Sequence, residues 1–254
     1  MVTAIATEKG GSSKTTLSLH LAWRGAREGK VLLVDLDSQA NSTRVLLKGG
    51  LPTGAHIGHV LLRHVPAKEA IVSGAGGVDL IPAAPGLAGA LQILSGELGP
   101  ERRLASSLAP LLSEYDHVLL DCAPGRSPLF FGALLAASKV ISPVIPDLFG
   151  IHGLAGLLEN VASVRRDLGG TCEFSGAVVS RTTRTKLAGE VVERLKADLG
   201  PLLLGLIPDS VKVGEALAAS VPVWTHAPGA PVSEAMAAVC DSILGLREEV
   251  TCAA

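Results

Sequence analysis

Residues 9–16 read Lys-Gly-Gly-Ser-Ser-Lys-Thr-Thr, between a β-branched run from Val2 to Thr7 and an amphipathic run from Thr15 to Glu28. A strand, a tight glycine turn and a helix in that order open a βαβ unit, which commits the chain to an α/β architecture. The same turn carries chemistry. Backbone N–H groups of Gly10, Gly11, Ser12 and Ser13, with those of Lys14, Thr15 and Thr16 at the positive end of the helix dipole, form a cradle for an anion. Lys14 adds a point charge where the β- and γ-phosphates of a nucleotide would lie, and the Thr15 hydroxyl suits Mg²⁺.

Val31-Leu32-Leu33-Val34 reads as a buried parallel strand running into Asp35-Leu36-Asp37-Ser38-Gln39-Ala40-Asn41. Ligands of open α/β sheets bind outside the C-terminal strand ends, so Asp35 and Asp37 are expected to face the same crevice as the Lys14 loop. A solvated Asp-rich turn is the plainer alternative. Val118-Leu119-Leu120 is a second apolar strand, closed by Asp121-Cys122-Ala123-Pro124. Further strands are expected at Val78–Pro82, Val140–Ile145, Ser175–Val179 and Leu203–Ile207. Helices are expected at Leu104–Ser113, Leu154–Arg166, Ala188–Leu199 and Pro231–Arg247, and the glycine-rich stretch Ser73–Gly77 as a loop.

A chain of 254 residues with no polar linker is read as one domain over residues 1–254. Aromatic residues are only 3% against 48% apolar, so the core must be Ala, Val, Leu and Ile, as in a mostly parallel twisted sheet covered by helices on both faces. The net charge of −2 excludes a uniformly basic coat, so any nucleic-acid contact needs a local patch. The four cysteines show no C-x-x-C spacing and read as buried or incidental thiols. Residues 1–8 lack a basic leader region, and the longest apolar run, Pro128 to Ser138, is too short to span a bilayer. A soluble cytoplasmic protein is expected.

The standard phosphate-loop pattern G-x-x-x-x-G-K-[ST] would place glycines at Glu8 and Ser13, and both are absent. A second lysine five residues before Lys14, at Lys9, matches instead the deviant loop of the ParA/MinD family of P-loop ATPases, which this chain resembles almost from end to end. The resemblance implies a single-domain P-loop NTPase that uses ATP and Mg²⁺. Asp35-Leu36-Asp37-Ser38-Gln39-Ala40-Asn41 resembles the family's switch I, with Ser38 in place of proline. On that resemblance Asp37 handles the attacking water and Asp35 supports the Mg²⁺ shell. Asp121 resembles the Walker B aspartate and would hold Mg²⁺ through water. Lys9 would reach across an ATP-bound homodimer to the partner's nucleotide, as an arginine finger does in trans. Ser180 to Lys186 and the segment after Ile207-Pro208 sit where relatives wall the adenine pocket, which makes Pro208, Asp209 and Arg181 candidates. Asp209 departs from the arginine usual in partitioning members.

Three roles fit this family: a DNA-partitioning ATPase, a membrane-cycling one, and a metabolic or reductase-type one. Membrane cycling calls for a basic amphipathic C-terminal helix, whereas Asp241 to Ala254 offers only Arg247 beside Glu248 and Glu249. For DNA the candidates are Arg184, Lys186 and Lys212, with Arg181, Arg194 and Lys196 nearby, and a solvated helix face is the competing reading. The resemblance implies non-specific binding to double-stranded DNA through phosphates, a ParB-like centromere-binding partner that stimulates hydrolysis, and a cytoplasmic, nucleoid-associated location. A positioning or metabolic ATPase without DNA binding is the alternative.

Overall fold

The computed structural model describes residues 1–246; the Arg247 end of the last expected helix, the acidic C-terminal residues and Cys252 lie outside the described residues. Eight strands form one sheet: β1 Val2–Ile5, β2 Val31–Leu36, β3 Val72–Ser73, β4 Asp79–Ile81, β5 His117–Cys122, β6 Lys139–Val144, β7 Glu173–Thr182 and β8 Leu203–Pro208. Their spatial order is β3-β4-β2-β5-β1-β6-β7-β8. All pairs are parallel except β3 with β4. The expected parallel sheet is therefore present, with one antiparallel edge.

That edge corrects the reading of Ser73–Gly77 as a plain loop. Ser73 pairs with Asp79, and Gly76 and Gly77, at φ +75° and +77°, make the turn of a short hairpin. Two paired residues beside three glycines carry no readable alternation.

The helices are α1 Lys14–Gly25, α2 Asn41–Leu46, α3 Ile57–Leu61, α4 Leu87–Leu94, α5 Arg102–Leu108, α6 Pro128–Ala136, α7 Leu148–Leu168, α8 Lys186–Leu199, α9 Val211–Ala218, α10 Val223–His226 and α11 Pro231–Leu244. Strand side chains alternate between two cores, as the pleat requires. Leu32, Val34, Val118 and Leu120 join the core under α3 to α7, whereas Val31, Leu33 and Leu119 join the one formed with α1 and α11. Both faces of the central strands are thus buried, which explains why they read as continuous apolar runs.

Helix α7 starts six residues earlier than its expected Leu154. Gly150, Gly153 and Gly156 lower its intrinsic helix propensity, but two of them leave no room for a side chain. A Cβ on Gly150 would collide with the Ile145 carbonyl and one on Gly156 would come within 2.6 Å of Glu8 Oε2, while Gly153 packs beside Lys9. The glycine face of α7 is where the loop after β1 docks.

Candidate functional site

The loop after β1 turns through Gly11 at φ +71° and Ser13 at φ +69°. Ser13 caps α1 by backbone alone: its carbonyl accepts from Leu17 N at 2.9 Å, and its side chain makes no capping bond. Holding a residue with a Cβ in this left-handed region costs about 1 kcal/mol relative to glycine. Ser13→Gly should therefore stabilise the protein by about 0.5–1 kcal/mol, read as a rise in Tm of a few degrees at most. An unchanged or lowered Tm would show that the serine hydroxyl compensates the strain.

Lys14 is buried, and its Nζ donates to the Lys9 carbonyl at 3.2 Å. Burial lowers its pKa, opposed by the charges of Asp121, Cys122 and Asp37. A buried ammonium with no ion-pair partner among the described residues is prepared for an anion.

Asp35 and Asp121 stand side by side in register on β2 and β5, both fully buried. Burial and then the Asp121 charge push the Asp35 carboxyl up to about 7, and burial likewise raises that of Asp121. Asp121 accepts from Ser18 Oγ at 3.1 Å and Ser42 Oγ at 2.5 Å. A buried carboxylate ringed by hydroxyls, next to a phosphate cradle, is a hard oxygen donor set that suits Mg²⁺ better than a softer metal.

Asp35 is tied to the segment that follows it. One of its oxygens accepts from Asp37 N at 3.1 Å, and the other accepts from both Thr43 N at 2.9 Å and Thr43 Oγ1 at 2.7 Å. It thereby clamps the stretch from Asp37 into α2. Asp37 Oδ1 in turn accepts from Gln39 N at 2.9 Å.

Residues Gly11 to Thr16 line one open cleft with Asp37, Asn41, Pro124 and Arg181. Gly10, although in the motif, is not among the lining residues. Beside the cleft, and sharing Ser13, Thr16 and Arg181 with it, lies a cavity of about 210 Å³ whose apolar walls include Leu17, Pro143, Val178, Ile207, Pro208 and Val213. A charged cradle opening into an apolar slot matches a nucleotide's phosphates and base. Arg181 and Asp209 meet at the slot's mouth, Nε to Oδ1 at 3.1 Å.

Lys9 is engaged within its own subunit. Its Nζ sits 2.6 Å from Asp147 Oδ2 and 5.5 Å from the centre of the Phe149 ring. Asp147 caps α7 through Gly150 N at 2.6 Å. Partial burial works against its ionisation, yet Lys9 and the Gly150 amide hold its carboxyl below the usual range. Leu148 and Phe149 beside it are exposed by 61% and 73%, an apolar step at the same rim.

Of the basic candidates, Arg184 and Lys212 share one groove. Lys186 is not among its lining residues and lies 3.9 Å from Glu190. Arg194 and Lys196 are paired with Asp198 and Glu193 along exposed α8, as the solvated-face reading expects.

Sequence reasoning missed Ser18, Ser42, Thr43, Asn160 and the pairing of Lys9 with Asp147. Ser18 had a signal, since it lies one helical turn after Thr15 and so shares its face. Asn160 lies on α7, 152 residues from the Glu8 it binds at 2.5 Å, and nothing local announces it.

An AAA-domain family model matches residues 1–173. The chromosome-partitioning ATPase Soj of Thermus thermophilus is 36% identical over 251 residues, covering 97% of this chain and 96% of that protein. Among solved structures, apo McdA of Cyanothece superposes with a TM-score of 0.84 at 25% identity, covering 95% of this chain and 98% of that one. A cobyrinic acid a,c-diamide synthase of Mycobacterium smegmatis, solved with an ATP analogue and magnesium, superposes at 0.77 with 27% identity, covering 96% and 93%. With these matches along nearly its whole length, and with the two-lysine loop and its paired aspartates in place, the chain belongs to the ParA/MinD family of P-loop ATPases.

Proposed function

We propose that this ATPase segregates DNA: it dimerises on ATP, binds double-stranded DNA without sequence preference as the dimer, and lets go after hydrolysis stimulated by a ParB-like partner. It would work as one domain in the cytoplasm on the nucleoid. Among the described residues no helix is long and apolar enough to cross a membrane.

In this reading Gly10 to Thr16 bind the phosphates, and Pro208 packs on the base with Arg181 and Asp209 at its edge. Thr15 and Asp121 would hold Mg²⁺, which supplies neutralisation of phosphate charge when bound. Asp37 orients the attacking water, held in place by Asp35 and Gln39 N. Lys9 leaves Asp147 and acts across the dimer. Intrinsic turnover is slow because the site is complete only when both halves meet.

The observation that carries the DNA reading is adjacency. The groove holding Arg184 and Lys212 shares Pro208, Asp209 and Ser210 with the apolar slot, so base and polyanion would lie on two sides of one strand end. The test is co-sedimentation with random-sequence DNA at two salt concentrations, with no nucleotide, ADP or ATP, and with Lys9→Ala alongside. Binding that needs ATP, weakens with salt and is lost in Lys9→Ala is the expected result. Dimerisation on ATP with no DNA binding would move the protein to the metabolite-handling or protein-positioning branch of the fold.

A further inference from the structure

The basic groove contains its own opposing charge. Its lining comprises the cations Arg184 and Lys212, the hydroxyls of Thr182, Thr183 and Ser210, and a single acid, Asp209. In this region the ion pairs are Arg181–Asp209 and Lys186–Glu190, which leaves Arg184 and Lys212 without carboxylate partners among the described residues. Two available cations with hydroxyls between them form a phosphate-binding surface, and a carboxylate among them repels the same ligand.

Arg181 moderates that acid from outside the groove. It lines the phosphate cleft and the apolar slot but is not among the groove's lining residues, whereas Asp209 lines the slot and the groove. Their 3.1 Å pair therefore bridges the nucleotide side to the polyanion side. Backbone geometry sets this arrangement. The β7/β8 register slips between Val179 and Thr182, Arg181 takes φ +56° inside the slip, and Asp209 N donates to the Thr182 carbonyl at 3.1 Å. The bulge turns the arginine toward the nucleotide cleft and fixes the acid beside the groove.

We propose that Asp209 is an acidic brake on polyanion binding in the Arg184–Lys212 groove, and that Arg181 sets its strength by pairing with it. This rests on the reading of that groove as the DNA surface. Removing the acid then tightens binding. Removing Arg181 weakens it, because the acid is left unneutralised, and the effect of Arg181 vanishes once Asp209 is gone. A direct contact of Arg181 with DNA gives a different pattern, since its loss would weaken binding whether or not Asp209 is present.

The test is a double-mutant cycle with Asp209→Asn, Arg181→Gln and the pair, read as fluorescence anisotropy of a random-sequence DNA duplex at low and moderate salt. Each protein is measured at an ATP concentration that saturates it, set by titration with a fluorescent ATP analogue. At low salt, Asp209→Asn is expected to bind about three- to fivefold tighter and Arg181→Gln about three- to fivefold weaker, with both effects shrinking as salt rises. In the Asp209→Asn background, Arg181→Gln should change affinity by less than about twofold. Equal weakening by Arg181→Gln in both backgrounds, or no tightening by Asp209→Asn, overturns the brake. Heparin, whose sulfates present the same charge on a different polymer, is run in parallel. The full cycle on heparin with no binding to DNA would end the DNA reading and leave the brake standing. No binding of wild type or Asp209→Asn to either probe overturns both.

Discussion

Lys9→Ala is expected to lower ATP hydrolysis about 10³-fold, the scale of losing a cation supplied in trans, while ATP binding by the monomer changes by less than about threefold. ATP-dependent dimerisation, followed by light scattering or analytical ultracentrifugation, should disappear over the same concentration range. Lys9 lies outside the immediate cradle, since its ammonium points to Asp147 while Lys14 occupies the position under the loop. On the proposed reading its charge therefore serves a nucleotide presented by a second subunit rather than that of its own. Asp147→Asn supplies the complementary experiment. Asparagine keeps the α7 cap but loses the charge that holds Lys9, and both side chains of that pair are about one-third exposed, at 29% and 35%. The released energy is thus modest, about 1 kcal/mol, and the dimer should form about fivefold more readily. Weaker dimerisation in both variants would mean that the Lys9–Asp147 pair survives into the active form, which would end the idea of a latch.

A second large effect concerns stability. His20 on α1 is fully buried; its Nδ1–H donates to the Thr16 carbonyl at 2.7 Å and its Nε2 accepts from Val223 N at 3.1 Å. Trp23 and Trp224 stand edge-on to it, each with its ring centre 5.4 Å away. Burial lowers its pKa from 6.5 to about 4, so the folded protein holds the neutral ring. The unfolded chain takes up a proton near pH 6.5 that the fold refuses until about pH 4. Stability from this group is therefore complete above pH 6.5 and is lost progressively as pH falls toward 4. The loss amounts to about 2–3 kcal/mol by pH 4.5. Urea unfolding at pH 7.5 and 4.5 should show wild type losing about that much more than His20→Gln, which costs roughly 1–2 kcal/mol at neutral pH but does not titrate. Parallel acid limbs for the two proteins would remove His20 from the account. Because Val223 opens α10, which packs against α9, the helix that carries Val213 of the apolar slot, the same variant should also loosen nucleotide binding.

Much of this protein could be read without coordinates because its information is local. Lys9 to Thr16 specify a turn through spacing alone, which marks β1 before it, and an apolar run closed by an acid marks a strand end, so β2 and β5 and the aspartates at their ends were legible. The early start of α7 was not. Its glycines lower helix propensity, and the reason Gly156 is tolerated, the close approach of Glu8, lies about 150 residues away in sequence. The β3–β4 hairpin was hidden for the opposite reason, being too short to carry a pattern.

The α/β class, the phosphate loop, the strand-end carboxylates and the resemblance to a family of ATPases can all be read along the chain, because each depends on residue type at fixed spacing over a few turns of backbone. What those groups face is set by the packed fold. It gave Asp35 to Thr43 and the Asp37 amide, held Lys9 on Asp147 across 138 residues, placed Arg184 and Lys212 in one groove without Lys186, and set Asp209 between a base slot and a basic surface. Such pairings are fixed by strand order and by bulges, where a slip of one register step turns a side chain to another surface, and no local spacing records them.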